Sequence, residues 1–270
     1  ASPPGGSPRS SPRARRAARE HGIDVATIRG GGAGGRVRER DVLAAANAVQ
    51  PGTGAATAAT PGTTAVPITA WADATALLAA RAAFKAVDGP EAATLNDMLL
   101  KLLADAVRAH PLLAARWEET QLALPGDRID IGLAVDAPGG LVVPVIRDVA
   151  AAPLAEVARQ TRRLVERARA GRLVAADMQG GVFTLTSLGS YGVEFFTPVI
   201  NLPETAILGV GAIRLQPVPP PDGAPGFVFQ RQLPLSLTFD HRVVDGGPAA
   251  RFLGELAARI TAGPPTLEAA

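Results

Sequence analysis

The chain has 270 residues, 47% of them hydrophobic, and 27 basic against 25 acidic side chains give it a formal charge of +2. This is enough apolar material for a large core and more than one domain. The absence of cysteine excludes disulfides, thiolate nucleophiles and cysteine-based metal sites, and the scattered His21, His110 and His241 form no ligand cluster, so no metal is expected.

No apolar run of 18 residues and no charged-then-apolar leader occurs, so neither a membrane span nor a secretory signal is expected. Residues 1–7 are rich in Pro, Gly and Ser, begin without Met, and read as a linker remnant of a fragment or processed chain. Residues 1–50 hold nine arginines against four acidic residues, whereas the remainder holds 18 basic against 21 acidic. A basic segment of this kind suits nucleic acid, an acidic protein surface or plain solvation. Nucleic acid is the weakest of the three, because no aromatic residue precedes Trp71 to stack on a base. Within this segment Ser11–Glu20 reads as a short helix with Pro12 in its first turn, residues 21–30 as a turn, and Gly34–Asn47 as a second helix. Gln50–Ala65 contains small residues with Pro and Gly, cannot bury enough surface to fold, and reads as a mobile linker.

Beyond the linker, helices and strands alternate. A strand over Val66–Thr69 precedes a helix over Asp73–Val87, which stops at Asp88-Gly89-Pro90. Thr94 and Asp97 have capping-box spacing before a helix that turns Leu95, Met98, Leu99, Leu102, Leu103, Ala106 and Val107 inward, and Pro111 ends it. Ile129, Ile131, Leu133 and Val135 alternate as a strand, a turn follows at Ala137-Pro138-Gly139-Gly140, and Leu141–Ile146 returns as another. Pro153–Ala170 is an amphipathic helix with Leu154, Val157, Thr161, Leu164, Val165 and Ala168 on one face and Gly171 as its stop. Leu233, Leu235, Leu237 and Phe239 alternate with Pro234, Ser236, Thr238 and Asp240, the pattern of a half-buried strand. After Gly246-Gly247-Pro248, Ala249, Phe252, Leu253, Leu256 and Ile260 recur at helical spacing. Such alternation predicts helices packed on a mixed sheet.

His241 thus stands on a strand-to-helix corner, four residues before Asp245. A neutral imidazole there can take a proton from a thiol or hydroxyl, its reference pKa being about 6.5. For an isolated His and Asp a satisfied core histidine is the commoner outcome, but the octapeptide FDHRVVDG (Phe239–Gly246) is far more specific than that pair. It resembles the active-site signature of the 2-oxo acid dehydrogenase acyltransferases. IDIGLAVDAPGGLVVPVIRD (Ile129–Asp148), GGVFTLTSLGSYG (Gly180–Gly192) and FFTPVINLPETAILGVGAI (Phe195–Ile213) resemble that family's catalytic domain in its usual order, and the likeness spans residues 64–267.

The resemblance implies a chloramphenicol acetyltransferase-like, two-layer α/β domain with a mixed sheet over residues 66–270, forming trimers with active sites between subunits. It implies acyl transfer between dihydrolipoamide and coenzyme A, with His241 as the base and Thr186 as the hydroxyl donor to the oxyanion. Ser187 is the alternative donor. Asp245 is expected to fix local geometry through a charged or backbone partner; no nucleophile elbow accompanies it, so no Ser-His-Asp triad is expected. The acyl group is not fixed; acetyl is preferred, since no basic residue lies between Phe183 and Asn201 to pair with a succinyl carboxylate.

Residues 8–49 resemble the peripheral subunit-binding domain of the same complexes, a small three-helix module. Its partner-binding arginines fall on Arg15, Arg19 and Arg36, and Asp41 matches the Asp that accepts hydrogen bonds from the glycine-rich loop. The implied partners are dihydrolipoamide dehydrogenase or the 2-oxo acid decarboxylase, a lipoyl domain, and further copies building a core of 24 or 60 subunits. No nucleic acid and no membrane are expected, and the bacterial cytoplasm is the expected compartment ahead of the mitochondrial matrix. The only lysines, Lys85 and Lys101, lie in predicted helices, so the lipoyl group must come on a removed or separate domain.

Several positions depart from the family pattern. The chain passes from linker to strand without the Arg-containing amphipathic helix of relatives, which helps build the subunit interface and is a source of an arginine for Asp245. Ala33 replaces a loop proline, Ala114 an asparagine, and Leu202 one of two prolines. These leave two alternatives to a transferase of such a complex: an impaired structural core that still binds partners, and a stand-alone O-acyltransferase for small hydroxyl compounds.

Overall fold

The computed structural model describes residues 10–20, 30–32, 36–42, 64–118, 121–220 and 223–263. The chain divides into two compact units, Ala1–Thr53 and Gly54–Ala270.

In the first unit, helix α1 (Pro12–Glu20) begins at a proline, whose missing N–H costs nothing in a first turn. Ser11 caps it, its Oγ accepting from Ala14 N at 3.1 Å. Ala14, Ala17 and Ala18 form its inward stripe and pack with Val37 and Val42, a core of five small side chains. The second helix starts at Glu39 rather than Gly34. Val37 is extended, in a parallel bridge with Ser10, and Asp41 Oδ2 accepts from Arg38 N at 2.9 Å, which fixes Arg38 as the capping residue. The linker remnant, the turn after Glu20 with the middle helix of the expected three, Ala33 and the linker up to Thr63 lie outside the described residues.

The second unit is a seven-stranded mixed sheet in the order β1-β11-β9-β8-β4-β7, with β10 added to β11. Its strands are β1 (Ala65–Asp73), β4 (Ile131–Leu133), β7 (Val145–Ile146), β8 (Phe183–Ser187), β9 (Ala206–Val210), β10 (Arg214–Val218) and β11 (Val228–Asp240). Two hairpins stand apart: β2 (Arg116–Glu118) with β3 (Gln121–Ala123), and β5 (Val135–Ala137) with β6 (Gly140–Val142). β8 runs parallel to both β4 and β9, and the other pairings are antiparallel. The helices are α2 (Thr75–Asp88), α3 (Leu95–Ala109), α4 (Leu154–Arg169) and α5 (Gly246–Ala262). α5 packs on β1 and β11, α2 and α3 pack on α5, and α4 lies beside β5 and β7. This is the mixed α/β architecture expected.

Local sequence explains most boundaries. Thr94 and Asp97 form the reciprocal capping box that starts α3, and α5 buries Ala249, Phe252, Leu253, Leu256 and Ile260 as its periodicity predicts. Four expectations need correction. Asp73 is the last residue of β1, not the first of a helix: it pairs with Gln232, and its carboxylate accepts from Thr75 N at 2.8 Å. The strand expected over Ile129–Val135 is split at Ala134, where pairing with β8 and β7 gives way to the β5–β6 hairpin, and the one over Leu141–Ile146 is split at Pro144, which cannot donate to a ladder.

The fourth concerns β11, expected to be half-buried. Gln232–Asp240 are buried on both faces. The leucine face meets the helices, whereas the face bearing Ser236 is roofed by the segment after Gly192. Phe196 lies over Gly209, where a Cβ would come within 2.9 Å of its ring, and Phe195 meets Trp71 edge-on at 4.7 Å. The polar residues of β11 are thus covered by chain instead of water.

Candidate active site

β11 ends at Asp240, residues 241–243 turn, and α5 begins at Gly246, so His241 occupies the corner between strand and helix. Main-chain bonds fix this corner: Asp240 N donates to Thr205 O and His241 N to Thr64 O, both at 2.8 Å, and Val243 N donates to Asp240 O at 2.9 Å. The imidazole is 42% exposed, its ring centroid 5.8 Å from that of Phe239. Asp245 is the N-cap of α5 without a side-chain cap bond, and its Oδ1 lies 3.9 Å from His241 Nδ1, beyond hydrogen-bond reach. It is 86% exposed, and among the described residues its carboxylate makes no contact beyond this ion-pair distance to His241.

The neighbouring carboxylate behaves oppositely. Asp240 is 1% exposed. It accepts from Arg242 Nε at 2.9 and 3.1 Å, from Arg242 N at 3.1 Å and from the Trp117 indole Nε1 at 3.2 Å. Burial acts to raise its pKa, but the Arg242 guanidinium and amide and the Trp117 indole outweigh that and hold the carboxyl below its ordinary range. The Arg242 guanidinium also stands 4.8 Å from the centroid of the Trp117 ring, a cation–π distance. Sequence reading missed this cluster. Strand parity put Asp240 outward, and its indole partner is 123 residues away.

Thr186 and Ser187 lie on β8, half-buried, and neither hydroxyl has a hydrogen-bond partner among the described residues. Thr186 pairs with Gly209, and Gly209 with Ser236 of β11, five residues before His241. At about 3.4 Å per residue and about 4.8 Å per strand, this puts the two roughly 17 Å apart along the sheet and roughly 10 Å across it. Ser187, opposite Val210, is farther still. One chain therefore does not bring the base and the hydroxyl donor together.

Next to the same strands sits a buried polar group that the sequence did not flag. Glu204, 3% exposed, accepts from Thr184 Oγ1 at 2.6 Å and from Asn201 Nδ2 at 3.3 Å. Burial pushes its pKa up to about 8, against the opposing pull of Thr184 and Asn201.

In the first unit Asp41 Oδ2 accepts from Gly31 N at 3.0 Å as well as from Arg38 N, tying the glycine loop to the helix start. Backbone bonds hold its carboxyl below the ordinary range. Arg15, Arg19 and Arg36 are all exposed, the first two one turn apart on α1 and away from its alanine stripe. Among the described residues no group of three or more His, Asp or Glu could hold a metal, and no helix is long and apolar enough to cross a membrane.

A family model described as 2-oxoacid dehydrogenases acyltransferase (catalytic domain) matches residues 56–267, and one described as e3 binding domain matches residues 8–43. The dihydrolipoyllysine-residue acetyltransferase component of the pyruvate dehydrogenase complex of Azotobacter vinelandii is 44% identical over 197 residues, 71% of this chain and 30% of that protein. Its mitochondrial counterpart from Neurospora crassa is 32% identical over 276 residues, 92% of this chain and 59% of that protein. The chain thus spans well under two thirds of the length of these curated relatives. A crystal structure concerned with the roles of a serine, a histidine and an asparagine in the mechanism of Azotobacter vinelandii dihydrolipoamide acetyltransferase superposes with a TM-score of 0.70 at 39% identity, covering 74% of this chain and 83% of that one. The cubic core of a pyruvate dehydrogenase multienzyme complex superposes with a TM-score of 0.71 at 37% identity, covering 81% and 88%. A family match across most of the sequence and a fold shared with two such cores lead to one assignment: the chain belongs to the 2-oxo acid dehydrogenase acyltransferase family.

Proposed function

We propose that this chain transfers an acyl group, with acetyl preferred, between dihydrolipoamide and coenzyme A in a bacterial, cytoplasmic 2-oxo acid dehydrogenase complex. The reaction centre is completed by a second copy. The observation that carries this reading is the separation of His241 from Thr186 within one chain, two strands and five residues of register apart on a sheet whose fold matches that of dihydrolipoamide acetyltransferase. A cyclic trimer sets the His241 corner of one copy against β8 of the next, so each interface holds one complete site.

In that site the neutral imidazole of His241 takes the proton of the attacking thiol, and the thiolate sulfur bonds to the thioester carbonyl carbon. The resulting oxyanion accepts a hydrogen bond from the Thr186 hydroxyl, with Ser187 as the alternative donor. Collapse breaks the original carbon–sulfur bond, and the departing thiolate recovers the proton from the imidazolium. A preorganised donor of this kind is worth about 3 kcal/mol to the barrier. Both thiols, of coenzyme A and of a lipoyl group on another domain, are substrates, and no metal enters the reaction.

Residues 8–49 serve as the docking module, residues 50–65 as its tether and residues 66–270 as the transferase. Arg15, Arg19 and Arg36 present positive charge to an acidic face of dihydrolipoamide dehydrogenase or the decarboxylase, while Asp41 keeps the glycine loop in place. Binding of that kind weakens as salt rises.

Mixed assembly tests the shared site. His241→Ala and Thr186→Ala chains, each inactive alone, should regain about one quarter of wild-type activity when co-expressed in equal amounts, because a quarter of interfaces then carry both intact residues. No recovery in a demonstrable mixed trimer overturns the shared site. The alternative of a structural core without turnover draws on one observation, the exposed Asp245, too far from His241 for a hydrogen bond; it predicts that wild-type trimers are themselves inactive with acetyl-coenzyme A and dihydrolipoamide.

A further inference from the structure

Main-chain bonds seat the backbone of His241, but among the described residues no hydrogen bond holds its imidazole, since the Asp245 carboxylate at 3.9 Å is too far. The direction of the ring therefore depends on how firmly the corner itself is held. Both neighbours of His241 in sequence are engaged by one side chain from a distant hairpin. Trp117, on β2, donates its indole N–H to Asp240 Oδ2 at 3.2 Å and lays its ring 4.8 Å from the guanidinium of Arg242. Arg242 in turn closes on Asp240, whose side chain is nearly sealed from solvent.

We propose that Trp117 is a positioning residue for acyl transfer: it clamps Asp240 and Arg242 and so fixes the corner from which His241 acts. This rests on the reading of His241 as the base. Two further contacts give the clamp its reach. Trp117 N donates to Pro203 O at 2.9 Å, and the backbone of Arg116 forms an antiparallel β-bridge with that of Glu204, whose carboxylate accepts from Thr184 on β8. The hairpin is thereby tied to the His241 corner and, through the 201–204 loop, to the strand that carries Thr186. A shift of that hairpin moves the base relative to the thiol it must deprotonate, and misplacement by about 1 Å costs on the order of 10²-fold in rate. Exposed Asp245 cannot substitute, since among the described residues no hydrogen bond holds its carboxylate.

The test uses the full chain as its natural assembly, with acetyl-coenzyme A and dihydrolipoamide as substrates. Trp117→Leu removes both the N–H and the ring. It should lower kcat by roughly 10- to 100-fold while KM for each thiol stays within about twofold. Trp117→Phe keeps a ring over Arg242 and loses only the N–H, so it should recover most of that loss, leaving kcat within about fivefold of wild type. Sedimentation and thermal unfolding of each variant establish that the assembly is intact. If Trp117→Leu does not assemble, Trp117→Phe and Arg242→Lys decide, and both must lower kcat without moving KM. Wild-type kcat in assembled Trp117→Leu overturns the proposal, as does a loss confined to KM. His241→Ala separates the two readings: substantial turnover by that variant sinks the base assignment itself, whereas its silence beside a fully active Trp117→Leu sinks only the clamp.

Discussion

Two carboxylates flank the candidate base, and they have opposite surroundings. Asp240, one residue before His241, is buried and accepts hydrogen bonds from a guanidinium, an indole and an amide; Asp245, four residues after it, is exposed and among the described residues accepts no hydrogen bond. By spacing alone Asp245 looks like the partner of the histidine. Donor geometry reverses that order. Where a carboxylate sits in a motif says less than whether the fold supplies donors for the charge it keeps, because a buried and fully bonded ion commits the backbone on either side of it. An exposed carboxylate is available to a neighbouring copy.

The comparison can be broken at several points. The largest effect should come from the residue between the two carboxylates: His241→Ala should lower transfer by at least about 10²-fold with the fold intact, and near-normal turnover would remove the reason to compare its neighbours. Asp240→Asn follows. It leaves Arg242 without its charge partner and should destabilise the chain by about 2 kcal/mol, less than for a fully buried pair because Arg242 is 38% exposed. Its folded-state pKa lies below the unfolded value, so this stabilisation is present above the unfolded value near pH 4 and is lost as pH falls through the folded one. Chemical denaturation at pH 7 and pH 3 measures both parts, and equal losses in wild type and variant on acidification would show that the pair is not coupled to folding.

Glu204 runs the other way. Its pKa is raised to about 8, so the stability of the neutral form is full below the unfolded value of 4.5 and is lost as pH rises through about 8. Glu204→Gln should therefore flatten the alkaline decline in Tm between pH 6 and pH 9, a few degrees at most; a variant that declines as steeply as wild type would assign the decline to another group. Asp245→Asn should have the smallest effect on stability, within about 0.5 kcal/mol. A cost matching that of Asp240→Asn would erase the distinction between the two.

The fold was legible where the signal is local. The apolar face of α5, the Thr94–Asp97 box and the strand-to-helix corner at His241 are all set by residues within a few positions of one another. What escaped depends on contacts distant in sequence. The split of the 129–135 segment follows from a change of partner, β8 for Ile131–Leu133 and β6 for Val135–Ala137, the full burial of β11 from Phe195 and Phe196, and the commitment of Asp240 from Trp117. Alternation along β11 correctly separated an apolar face from a polar one. It could not show that the polar face would also be covered.

That covering has a consequence for which changes the chain can tolerate. The roof over the polar face rests directly on backbone: a methyl group at Gly211 would lie 1.7 Å from the carbonyl oxygen of Glu194, and one at Gly209 would press on the ring of Phe196. Neither glycine has φ in the left-handed range, so neither is required by the local turn of the chain. Their demand is for vacant space. In a saturation screen for retained assembly, alanine at Gly211 should score as badly as arginine, while Gly254 on α5, with nothing within 4 Å of its would-be Cβ, should accept most side chains. Such a screen would trace the outline of the roof as a set of intolerant positions that carry no chemistry.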